Sequence, residues 1–157
     1  EENLRMAKPD ATKEEMEAVL QKVNLLGFLQ TQNGLQTELL EKAGNLSGGQ
    51  CQRLVIARAL LRSDSAVYIF DEAASNIDVE SEELIMNVIH ELAKTKTVLL
   101  ISHRLANVVQ SDQIYFLKNG TICERGTHAE LMEQNGAYRH LYDSQMVLEN
   151  YGKQGNA

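Results

Sequence analysis

Three clusters of side chains in this 157-residue chain are of types suited to phosphate chemistry. Asp71 and Glu72 close the apolar run 66–70. One carboxylate at a strand end can orient a small hard cation through its water shell. A second can draw a proton from an attacking water, a role typically contributing about 10²–10⁴-fold in rate. The plain alternative is that the pair caps the helix starting near Val79. His103 stands just past the expected strand 97–102, where it could bond a phosphate oxygen or serve only the structure. The third cluster, Ser47-Gly48-Gly49-Gln50, precedes a run of helix formers reaching Leu61. A helix starting there leaves backbone N–H groups bare and carries roughly half a positive elementary charge, a ready seat for a phosphate. A lone Ser-Gly-Gly is otherwise an ordinary helix start. Ser75-Asn76-Ile77-Asp78, alone, is a turn followed by a helix cap.

The elements that must position these residues follow from periodicity. Met16, Val19, Leu20, Val23 and Leu26 recur at helical spacing, predicting a helix over 10–26 that Asp10 or Thr12 caps and Gly27 ends. Residues 28–45 read as a short helix and loop. The next helix spans 48–62, with Arg53 and Arg58 offering positive charge along one side. The apolar run 66–70 and the segment 97–102 read as strands of a parallel sheet buried on both faces. A helix over 79–92 connects them, with Leu84, Ile85, Val88, Ile89 and Leu92 on one face. Asp71, Glu72 and His103 are therefore expected at one sheet edge, where ligands bind in open α/β sheets. Beyond a short helix near 104–109, Asn119-Gly120 joins the extended runs 113–117 and 121–124, the strongest short hairpin signal. Thr127 is expected to cap one helix, residues 137–150 form another, and the tail from Tyr151 is expected to fray.

Bulk properties narrow the class. A net charge of −7 argues against nucleic acid as the main partner. No apolar run approaches the roughly 20 residues of a membrane-spanning helix. Cys51 and Cys123 lack metal-type spacing and read as reduced thiols. The abrupt start at Glu1 suggests a piece of something longer.

Leu46-Ser47-Gly48-Gly49-Gln50 is identical to the LSGGQ signature of ABC-type ATPases, and the order of the other motifs resembles the ATPase domain of ABC transporters over nearly the whole chain. Residues 67–72 then correspond to Walker B, 75–78 to the D-loop and His103 to the switch histidine. Ser102-His103-Arg104-Leu105, Asp112, Asn119-Gly120 and Gly126-Thr127-His128 resemble the exporter branch in particular. The resemblance implies an α/β fold: part of a P-loop NTPase (RecA-like) core with parallel strands, plus an α-helical signature subdomain. By motif the chain divides into 1–65 (helical subdomain), 66–126 (second half of the core) and 127–157 (C-terminal helices and tail). It implies ATP and Mg²⁺ as cofactors, Asp71 on the metal through water, and Glu72 and His103 as catalytic residues. Ser47, Gly48, Gly49, Gln50 and Asp78 would meet nucleotide, the signature acting on ATP held by a second, identical or different, ATPase domain. A transmembrane domain on the same polypeptide and a place at the cytoplasmic face of the cell membrane are implied as well.

Some positions depart from the family pattern. Cys51 replaces a basic or polar residue, Ala74 a threonine, and Asn76-Ile77 the usual Ala-Leu. No Gly-x-x-x-x-Gly-Lys-Ser/Thr occurs, and the adenine-stacking aromatic and Q-loop glutamine are also missing, so the stretch alone is expected to be inactive. Two other readings stay open here. A DNA-repair or chromosome-organising ATPase is opposed by the acidic balance and by the lack of heptads over 1–45. A truncated regulatory chain that binds a full ATPase domain is disfavoured by the intact acid, base and histidine.

Overall fold

The computed structural model describes residues 1–75 and 77–154, with side chains described through Leu148. Asn76 and the last residues of the tail lie outside that description. The chain forms two compact units, Glu1–Ile101 and Ser102–Ala157, a division by packing where the sequence division is by motif.

The first unit begins with α1 (Glu2–Arg5), α2 (Lys13–Lys22) and α3 (Leu26–Gln30), followed by 3-10 turns at Gly34–Gln36 and Glu41–Ala43. Thr12 caps α2, accepting from the Glu15 N–H while the Glu15 carboxylate accepts from the Thr12 N–H. The expected single helix over 10–26 is in fact two. Asn24 turns left-handed (φ 51°), and Leu25 N–H reaches back to the Leu20 carbonyl at 2.8 Å. Asn24 N–H bonds the Gln21 carbonyl at 3.0 Å, which completes a Schellman closure. Asparagine tolerates this conformation, and burial of both Leu20 and Leu25 rewards it. Gly27, expected to stop the helix, lies inside α3.

The signature helix α4 (Gly48–Leu61) packs on α2 and on α5 (Val79–Ala93). Leu54, Ile56, Ala57 and Leu61 meet Met16, Val19, Leu20 and Val23 in one core, joined by Ile85 and Ile89. Each such buried aliphatic side chain contributes about 1.5–3 kcal/mol by leaving water. Strand β1 (Val67–Asp71) pairs in parallel with β2 (Thr97–Ile101), so that Asp71 lies opposite Ile101. Only one face of this pair is covered. Tyr68 and Phe70 enter the core, whereas Val67, Ile69, Leu99 and Ile101 are 45–65% exposed. The apolar runs were expected to be buried on both faces. Within the unit the helical core claims the Tyr68–Phe70 side alone.

In the second unit a 3-10 turn (Leu105–Val108) precedes the antiparallel hairpin of β3 (Ile114–Lys118) and β4 (Thr121–Gly126). Asn119 and Gly120 both take positive φ (52° and 76°), as a two-residue hairpin turn requires. Helices α6 (His128–Gln134) and α7 (Ala137–Gln154) follow. α7 continues four residues past the expected end at Asn150. Leu105, Ile114, Leu131 and Tyr138 form the core of this unit. The Glu124 carboxylate receives the N–H groups of Ala137 and Tyr138 and so heads α7. A side chain at Gly136 would strike that carboxylate, which explains the glycine.

Candidate functional site

Each expected site residue is held at the end of a regular element. Ser47 is the N-cap of α4 and forms a full capping box with Gln50. Gln50 N–H donates to the Ser47 hydroxyl (3.2 Å), and Ser47 N–H donates to the Gln50 amide oxygen (2.9 Å). The Ser-x-x-Gln spacing carries that reciprocal pairing, a signal the sequence reading passed over in favour of bare N–H groups alone. The cap leaves the N–H groups of Gly48 and Gly49 without a partner among the described residues. No acidic residue stands in the first turn of α4, so its positive end is uncompensated from within.

The two glycines are placed differently. Gly48 is exposed, and a Cβ there would meet nothing within 4 Å. Gly49 is buried against the head of α5, where its missing side chain makes room for Ser81 and Asp78. Arg53, one turn on, donates to the Gly49 carbonyl (3.3 Å) and the Asn24 carbonyl (3.0 Å). Arg53, expected to offer positive charge along one side of the helix, thus also ties α4 to the turn after α2.

At the end of β1, Asp71 is exposed and Glu72 half-buried. Glu72 adopts a left-handed backbone (φ 52°), a conformation that costs a non-glycine residue about 1–3 kcal/mol. Its N–H donates to the Ile101 carbonyl (3.0 Å), extending the ladder by one bond. Its carbonyl receives the Ser75 N–H (3.0 Å) and hydroxyl (2.8 Å). The chain is therefore held in a sharp turn directly after the strand. The alternative that this pair caps the following helix is not what forms. Asp78 is the N-cap of α5 and accepts from Ser81 N–H at 2.8 Å. That bond, seconded by the Ser81 side chain and the nearby Arg53 charge, holds the Asp78 carboxyl below the ordinary aspartate range.

His103 lies in the second unit, two residues beyond Ile101, and is exposed. Its carbonyl accepts from Gln145 Nε2 (2.7 Å), and the Gln145 oxygen accepts from Leu105 N–H (2.9 Å). Helix α7 thereby fixes the backbone on both sides of Arg104. Two contacts that sequence reasoning missed, the Gln145 clamp on the backbone around Arg104 and the seating of Gly49 against Ser81, join residues far apart in the chain and carry no local pattern.

The structure brings the signature and Asp78 together, and leaves Asp71 and Glu72 at the strand end. No cluster of three or more His, Cys, Asp or Glu suited to a metal exists among the described residues. The strand-end carboxylates fit Mg²⁺, which keeps several waters and takes few protein ligands when phosphates supply the rest. They do not form a self-sufficient metal cage. No described helix is long and apolar enough to cross a membrane.

Comparison with known proteins shows the family. Residues 1–75 match the ABC transporter family. The chain is 51% identical over 156 residues to an ABC transporter ATP-binding protein of Haemophilus influenzae, covering 99% of this chain and 28% of that protein. It is 46% identical over 140 residues to an ATP-dependent lipid A-core flippase of Mannheimia succiniciproducens, covering 88% of this chain and 24% of that one. A solved bacterial Atm1-family ABC exporter with ATP bound superposes with a TM-score of 0.82 at 30% identity, covering 91% of this chain and 25% of that one. The chain thus spans about a quarter of the length of these relatives. By these matches the chain belongs to the ABC transporter family and is similar to its ATP-binding proteins.

Proposed function

We propose that these residues are part of the ATP-hydrolysing domain of an ATP-driven membrane exporter, working as a head-to-tail dimer of two such domains at the cytoplasmic face of the cell membrane. The relatives' names support transport, and the helix head at Ser47, with the N–H groups of Gly48 and Gly49 open, supports contact with a phosphate. The N–H groups of Gly48 and Gly49 and the Ser47 hydroxyl bind the phosphates of ATP held by the facing domain. Gln50 holds Ser47 in place while it does so, and Asp78 holds the α5 head beside them. Asp71, Glu72 and His103 act on the domain's own nucleotide.

In that reaction Glu72 accepts a proton from the attacking water at its carboxylate, and His103 donates a hydrogen bond to the terminal phosphate. Asp71 holds Mg²⁺ through water, and the ion, when bound, offsets phosphate charge. The observation that carries this reading is the strained left-handed backbone of Glu72, closed by the Ile101 and Ser75 bonds. Strain at a non-glycine residue survives where the surroundings over-determine it, and it concentrates at reacting groups. The test is Glu72→Gln in the full-length protein, which keeps the shape and removes the base. Steady-state ATPase should fall by at least ~100-fold while ATP still binds and holds the two domains closed. Turnover close to that of the parent would refute Glu72 as the base.

A further inference from the structure

The signature contains two adjacent glycines, and the structure gives them unlike surroundings. Open space surrounds Gly48. At Gly49, a Cβ would lie 2.7 Å from the Ser81 Cβ and 3.0 Å from Asp78 Oδ2, and it would overlap the Ser81 hydroxyl outright. Ser81 is itself 4% exposed, in the first turn of α5. It is pinned from behind, because its N–H donates to Asp78 Oδ1 at 2.8 Å. From the other side, Arg53 grips the Gly49 carbonyl and the Asn24 carbonyl. Gly49 thus sits between a fixed serine and a fixed arginine. A shift of either changes the direction in which its N–H and that of Gly48 point.

We propose that Ser81 is a positioning residue for the phosphate-binding head of α4. Gly49 is glycine to let the α4 head seat on Ser81 and Asp78 of its own chain, and Gly48 is glycine to leave the approach open for the ligand. This assigns Ser81 a part in the nucleotide reaction although it touches no reacting atom, and it links the cap of α5 to the aim of the signature. The inference rests on the proposal that the signature acts on ATP.

The experiment measures ATP turnover per folded molecule in the full-length exporter. G49A should lose activity by about 100-fold, the scale on which a displacement of about 1 Å acts in a catalytic site. G49A/S81G, with the opposing side chain removed, should regain at least about tenfold over G49A, as coupled neighbours do. G48A should lose activity too, and G48A/S81G should regain nothing. A double variant no better than G49A alone would overturn the proposal, as would equal rescue of G48A. If G49A fails to accumulate as folded protein, S81T decides, since it adds one methyl beneath an unaltered signature. A fall of about tenfold supports the proposal, and unchanged turnover overturns it. Failure of the underlying ATPase reading is distinct, because the unsubstituted exporter would then hydrolyse no ATP.

Discussion

The heads of α4 and α6 are built on the same local design and serve different ends. In each, a hydroxyl residue caps the helix and the third residue reaches back to the cap's N–H: Ser47 with Gln50, Thr127 with Glu130. The head of α2, Thr12 with Glu15, repeats the arrangement of α6. The difference lies in charge. Glu130 and Glu15 place a carboxylate at the positive helix end and neutralise it, and their bonds to the threonine caps or to Lys8 hold both below the ordinary glutamate range. Gln50 does the same geometric work with no charge, directly after two glycines and with no acid in the turn. A helix head that only needs to be stable takes a glutamate. One that must receive an anion does better without a carboxylate in its own first turn, which would compete for the N–H groups and repel the ligand.

Exchanging the two designs breaks this comparison most severely. Gln50→Glu keeps the reciprocal cap and brings a negative charge within reach of the bound phosphates. Repulsion of about 1–4 kcal/mol at 4 Å corresponds to at least about a fivefold loss of ATPase in the full-length protein. The same change should leave the melting temperature of the isolated chain equal or slightly raised, since an acid at a helix head stabilises by about 0.3–1 kcal/mol. Loss of both fold and activity would mean that Gln50 serves stability alone.

Removing the capping hydroxyls comes next in size. Ser47→Ala and Thr127→Ala should each lower stability to denaturant by about 1 kcal/mol. Only Ser47→Ala should also reduce ATPase per folded molecule. Equal effects on activity would erase the distinction between the two heads.

The smallest effect is in pH dependence. Because Glu130 has a lowered pKa in the folded chain, its contribution to stability is present above its unfolded pKa. It fades as pH falls through the folded value. The cost of Glu130→Gln, measured by denaturant titration, should therefore shrink as pH falls through the glutamate range and vanish below it. The cost of Gln50→Ala should stay the same across that interval, since Gln50 does not titrate. A parallel pH dependence for both would show that the charge difference is not what separates the heads.

Legibility in the sequence followed the range of the contacts. The helix start at Gly48, the cap at Thr127 and the Asn119-Gly120 turn were all readable, because each is closed by residues three or four apart. The break between α2 and α3 was missed. Helical spacing runs on through Leu26, and the left-handed Asn24 is chosen only once Leu20 and Leu25 are buried together. The strands were recognised by composition, but their single covered face depends on which side the helical core occupies. At the site, the identities of Asp71, Glu72 and His103 were visible as strand-end polar residues. The turn at Glu72 and the Gln145 clamp on His103 were not.

The stretch Ser47 to Gln50 shows where the division falls. Its residue types alone determine a capped helix head with uncompensated N–H groups, because backbone geometry brings the first and fourth residues of such a turn together whatever surrounds them. That one glycine of the pair faces open space and the other is pressed against Ser81 was decided by the packing of α4 on α5. Such a contact joins segments far apart in the chain. It exists only after the core between the two helices has offset the entropy of closing the loop.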